Sequence, residues 1–80
     1  MTPFVTVLHD KAKKRWTWNG TFYDKQKAID WVDAQKNSSN KHGTYAVLSG
    51  AGMDIKDIHR TKIVSEPTAL KYKIYQKTAN

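Results

Sequence analysis

Two groups of cations in this chain sit at spacings that suit phosphate binding. The first is Lys11-Ala12-Lys13-Lys14-Arg15, four cations in five residues, followed at once by Trp16. A loop charged in this way can grip a polyanionic backbone, because phosphate contacts set position while base contacts set specificity. The second group lies near the C-terminus. There Leu70, Tyr72 and Ile74 alternate with Lys71, Lys73 and Tyr75, and Lys77 follows on the second parity. In a strand, successive side chains point to opposite faces. The alternation predicts an inward apolar face and an outward face carrying Lys71, Lys73, Tyr75 and Lys77. An antiparallel neighbour over residues 60–65, with Thr61 and Ile63 inward, adds Arg60 and Lys62 to the outward face. Cations beside an aromatic on an open sheet hold phosphates and stack a base or sugar. The nucleic-acid-binding candidates are therefore Lys13, Lys14, Arg15, Arg60, Lys62, Lys71, Lys73, Tyr75 and Lys77. Each group also has a plain reading. Lysines on an edge strand deter edge-to-edge pairing, and lysines in a hairpin turn are simply solvated.

Catalytic constellations are poorly represented. His9, His42 and His59 fall far apart and show no ligand spacing, so no metal site is expected. Asp54-Ile55-Lys56 has the acid-x-Lys form of some metal-dependent nuclease strands, but no acidic residue follows either Pro3 or Pro67 to complete it. Gly50-Ala51-Gly52 lacks the third glycine of a dinucleotide loop, since position 55 is Ile. No Ser/His/Asp order stands out. The expectation is a protein without catalytic residues and without a cofactor.

These residues must be positioned by a chain of 80 residues and 9.2 kDa, which leaves room for a single domain over residues 1–80. There are 14 Lys and Arg against 7 Asp and Glu, giving a net charge of +7 and a pI near 9.8. The excess is even: residues 1–40 hold 7 basic and 4 acidic groups, and residues 41–80 hold 7 and 3. A basic surface is implied rather than a basic tail. Nine aromatics, three of them Trp, can build a small dense core. The absence of cysteine excludes disulfides, thiolate nucleophiles and zinc–thiolate or iron–sulfur sites. The longest apolar run is Tyr45-Ala46-Val47-Leu48, far short of the about 20 residues that a membrane span needs. The N-terminal residues carry no basic leader, so a cytoplasmic location and no membrane association are expected.

The coarse pattern gives β, β, (β), α, β, β, β. Phe4–Leu8 reads as a strand and residues 9–14 as a turn. In residues 15–23, Trp16, Trp18, Gly20 and Phe22 share one parity. This stretch is either one strand kinked at Gly20 or two strands around an Asn19-Gly20 turn, and the hairpin is the favoured reading. Asp24 caps a helix over residues 25–36, with Ala28, Ile29, Val32 and either Trp31 or Gln35 inward. The three tryptophans are expected to meet in the core. Residues 37–43 read as a loop, 44–49 as a strand, 53–59 as either a helical turn or a loop, 60–65 as a strand, and 70–77 as the last strand. The fold class is α+β: a single small domain, mostly antiparallel β-sheet, with one helix on one face and the other face at least partly exposed.

Residues 15–31, RWTWNGTFYDKQKAIDW, resemble a junction found in small three-stranded-sheet DNA-binding domains. Examples are the arm-binding domains of tyrosine integrases and plant AP2-type domains. In these a strand ending in Gly-Thr-Phe leads into a helix with an Ala near its start, and the resemblance implies a sheet that reads the major groove. It covers under a quarter of the chain, and three further strand-like segments depart from the pattern. No site residue is carried over from it.

The leading expectation is a small, basic, non-catalytic nucleic-acid-binding module, the partner being DNA or RNA. The alternative is a protein-binding module that meets an acidic protein surface, such as a phage-encoded inhibitor or modulator of a host complex. Exposed Tyr23, Tyr45 or Tyr75 would then supply the contact.

Overall fold

The computed structural model describes residues 1–35 and 43–79. The loop expected over 37–43 and His42 therefore fall, apart from Gly43, outside the described residues. The chain forms β1 (Phe4–Asp10), β2 (Arg15–Phe22), α1 (Lys25–Gln35), β3 (Gly43–Leu48), α2 (Ile55–Thr61), β4 (Ile63–Ser65), α3 (Glu66–Tyr72) and β5 (Lys73–Ala79). The strands make one sheet in the order β4-β2-β1-β3-β5, every neighbouring pair antiparallel. This is a small α+β domain.

The central strand β1 is buried at Val5, Thr6 and Val7 and feeds both faces of the sheet. On one face Val5 and Val7 join Trp16, Ala46 and Leu48 beneath Ile58 of α2 and Ala69 of α3. On the other, Phe4 and Leu8 join Tyr45 and Val47 beneath Ala28 and Val32 of α1. The domain thus has three layers. The face expected to be partly open is occupied by α2 and α3.

Local chemistry explains the elements. Asp24 accepts the Lys27 backbone N–H, so the N-cap read from the sequence is present, and α1 buries Ala28 and Val32 as its periodicity requires. Asp54 caps α2 by accepting from Asp57 N at 3.0 Å. Residues 53–59 are therefore mostly helix, and the strand expected from residue 60 shrinks to Ile63–Ser65. Ser65 caps α3, and Pro67 lies in its first turn, where its missing N–H costs nothing. Glu66-Pro67 opens a helix here instead of merely ending a strand.

Residues 15–22 are one strand, not a hairpin of their own. A bulge between the Thr6–Gly20 and Val7–Trp18 pairs leaves Asn19 unpaired. The Thr6 hydroxyl donates to Gly20 O at 3.3 Å and stitches the irregularity. The bulge reverses the parity, so Trp16 and Trp18 face α2 and α3 while Phe22 faces α1. Trp31 also lies on the α1 side, with its ring 5.9 Å from that of Tyr45. The three tryptophans are thus divided between two cores.

Gly50 and Gly52 have φ of 153° and 90°, a region open to glycine but rarely used by other residues. A Cβ at Gly50 would lie 2.9 Å from the Tyr72 ring. The Gly-Ala-Gly turn is shaped around that ring rather than around a phosphate. Among the described residues, no helix is long and apolar enough to cross a membrane.

Candidate nucleic-acid interface

The β1–β2 hairpin closes on the pair Asp10–Arg15, with residues 11–14 as its tip. Asp10 Oδ1 accepts the Lys13 backbone N–H at 3.2 Å, so its carboxylate shapes the turn. Lys14 has a left-handed φ of 52°. Lys11, Lys13 and Lys14 are exposed, and none forms an ion pair with a described carboxylate. Arg15 is half-buried. Its Nε is shielded from solvent without a hydrogen-bond partner among the described residues, so part of the guanidinium is drawn towards the sheet. Lys13, Lys14 and Arg15, together with Lys11, lie at the closed end of the β1–β2 hairpin.

The other six candidates do not share a face. Residues 70–72 belong to α3, so the inward row of Leu70, Tyr72 and Ile74 is not formed: Leu70 is 73% and Ile74 43% exposed. The segments carrying Arg60–Lys62 and Lys73–Lys77 do not pair. β4 and β5 occupy opposite edges, with three strands between them. Arg60 lies on α2, where its guanidinium is bound by the Asp57 carboxylate one turn earlier. Lys62 caps α2 in a left-handed conformation, its ammonium 4.4 Å from the centre of the Trp18 ring. Lys71 is on α3, 5.4 Å from the Tyr72 ring centre. Lys73 pairs across the sheet with Leu48, on the α2/α3 side, and donates to Gln76 Oε1 at 2.7 Å. Lys77 pairs with Tyr45, on the α1 side.

Tyr75 is also turned towards α1. It packs against the Val47 cluster, and its hydroxyl donates to Asp33. That hydrogen bond, then burial, then the Asp33 charge raise the phenol pKa above its ordinary value of 10.0. Tyr75 is accordingly a tether between β5 and α1, and the stacking position read from the sequence is corrected. The physical reason is the helix start at Ser65, which absorbs three residues of the supposed strand. The bulge between Val47 and Leu48 then resets the rest.

The sequence reading missed a polar cluster on β2 and α2. Trp18 Nε1–H donates to Thr21 Oγ1 at 3.0 Å, and His59 Nε2 lies 2.6 Å from the same oxygen. The bulge at Asn19 creates it by turning Thr21 to the side of Trp18. His9 sits elsewhere, 4.7 Å from the Trp16 ring and 3.4 Å from Glu66 Oε1. Among the described residues, no group of three or more His, Cys, Asp or Glu is placed to hold a metal ion. Asp54 and Lys56 lie at the start of α2, not on a strand.

Both faces of this five-stranded sheet are covered, so neither is free to lie in a major groove as the three-stranded domains do. No family model, curated protein or solved structure matches the chain.

Proposed function

We propose that the protein is a non-catalytic binding module that contacts the phosphate backbone of nucleic acid through the tip of the β1–β2 hairpin. The observation that carries this reading is the cation set at the tip. Three exposed lysines and Arg15 stand on a turn whose nearest carboxylate, Asp10, is engaged by the backbone. Lys14 adds weight. A non-glycine residue in the left-handed region costs about 1–2 kcal/mol, and here that position carries a charge rather than Gly or Asn. The hairpin belongs to the central strand of the sheet, so the tip is held by a rigid base. Binding by such a tip is sequence-tolerant and salt-dependent.

The test is titration of labelled duplex and single-stranded oligonucleotides at several salt concentrations. With one phosphate per tip cation, log K falls against log salt with a slope of about −3 to −4 on duplex DNA. Lys11→Gln and Lys13→Gln each reduce the magnitude of that slope by about 1. No binding near physiological salt, or a slope unmoved by both substitutions, removes the reading.

A further inference from the structure

Around the tip of the β1–β2 hairpin the chain supplies charge but no open aromatic ring. We propose that the tip selects duplex over single-stranded nucleic acid, whether DNA or RNA. This selection rests on the phosphate-binding reading above and names the form of polyanion that the same cations take.

The first support is the placement of the aromatic side chains. Proteins that hold single strands without regard to sequence stack successive bases on exposed rings beside a basic groove. All nine aromatic residues of the chain lie among the described residues. Trp16, next to the tip, is 8% exposed, and the His9 ring packs 4.7 Å from it. Trp18 is capped by the Lys62 ammonium at 4.4 Å and flanked by the His59 ring at 5.3 Å. Five others belong to the core on the α1 side, and Tyr72 lies against the Gly50 turn. That leaves Tyr23, which is 58% exposed. It follows the far end of β2, and the eight residues of that strand set it about 26 Å from the tip, at about 3.3 Å per residue. A base held at the tip has no ring there to stack on.

The second support is charge density. Lys11, Lys13, Lys14 and Arg15 all stand on one chain reversal, closed by the Asp10–Arg15 pair. Neighbouring strands lie about 4.8 Å apart, so the backbone that carries these cations is narrow. A duplex offers one phosphate per about 1.7 Å of axis, against about 3.4 Å along a single strand. A compact cation set therefore meets more phosphates on the duplex. Each contact there also releases more counterion, about 0.9 against about 0.7 on a single strand. Without stacking to compensate, both differences favour the duplex.

The probes are a DNA duplex of about 20 base pairs, its two separated strands, and the RNA counterparts of all three. They are titrated against the full chain at several salt concentrations. With three or four phosphate contacts, the duplex should bind about six- to tenfold more tightly than either strand at about 50 mM salt, with the steeper salt slope. Single strands should leave tryptophan emission unchanged. Tyr23→Ala, a change at an exposed side chain, should leave every affinity unchanged. A preference shown by only one of the two duplexes upholds the selection and identifies the sugar. A single strand that binds as tightly as its duplex, quenches tryptophan emission or depends on Tyr23 overturns the selection. In that case Lys11→Gln and Lys13→Gln still flatten the slope, and the phosphate reading stands. If neither form binds, or the slope ignores both lysines, the phosphate reading itself fails and the selection falls with it.

Discussion

The Tyr75 hydroxyl donates to the Asp33 carboxylate, joining the last strand to the first helix across 42 positions of sequence. β5 is an edge strand, held on one side only by β3. A side-chain tie to α1 gives it a second attachment outside the ladder.

That tie sets a prediction at alkaline pH. The folded pKa of Tyr75 is raised above 10.0, chiefly by the hydrogen bond to Asp33. Its stabilisation is therefore complete below the unfolded value near 10 and is lost as pH rises through the folded value. Spectroscopic titration of phenolate absorbance should show a late-titrating component that Tyr75→Phe removes. That variant should also melt at a lower temperature at neutral pH. A titration curve left unchanged by Tyr75→Phe would contradict the tie.

Among the described residues, both non-glycine positions with positive φ are lysines, Lys14 at 52° and Lys62 at 63°. Glycine relieves that strain at some cost in unfolded-chain entropy, so Lys14→Gly should retain stability or raise it, by up to about 1 kcal/mol. The same substitution should weaken oligonucleotide binding. Denaturant melts paired with binding isotherms check both halves. A clear loss of stability would mean that Lys14 has a structural role beyond the turn.

Thr21 Oγ1 serves both Trp18 and His59. Thr21→Val removes that oxygen while keeping the shape, and leaves two half-buried ring nitrogens without their partner. The expected cost is about 1–2 kcal/mol. Thr21→Ser should recover most of it. Urea titration with tryptophan fluorescence reads the difference, and equal stability of the Val and Ser variants would remove the cluster from the account.

Val47 and Leu48 are neighbours in β3, both fully buried, and serve different cores. Leu48→Ala should cost about 2–5 kcal/mol and Val47→Ala about 2 kcal/mol. Because the two side chains share no cluster, their effects should add to within about 0.5 kcal/mol. Strong coupling in the double variant would show that the layers are not independent. Total stability for a chain this long is about 4–12 kcal/mol, so these losses are best measured near 10–20 °C, where such domains are most stable.

How much of this was legible follows from which signals are local. α1 was readable because its cap, Asp24, and its stripe, Ala28 and Val32, lie within three turns of one another. The first strand and the Tyr45–Leu48 strand were readable as short apolar runs. The last strand misled because Leu70, Tyr72 and Ile74 alternate over a stretch in which the chain changes from helix to strand at Lys73. The cap at Ser65 with Pro67 was the competing signal, and it won because it satisfies free backbone N–H groups at the helix start. The cationic face built on that strand failed with it. The hairpin cations fall together at one turn because their placement depends only on local chain reversal. The bulge at Asn19 left no mark beyond an Asn-Gly pair that fits a tight turn equally well, so neither the division of the tryptophans nor the Trp18–Thr21–His59 cluster could be read in advance. Strand order is non-local and has no signature in a single sequence.

The order β4-β2-β1-β3-β5 places the three strands made earliest in the interior of the sheet and the two made last on its rims. During synthesis the middle of this sheet exists before its borders. A three-stranded ribbon emerges with both flanks bare, and each flank waits for a different piece of the C-terminal third to seal it. The seals that arrive are poor templates for further pairing: one is only three residues long, and the other bears lysines. A chain lacking β4 and β5 is therefore the form most prone to clumping, and the closing of both rims is itself the safeguard.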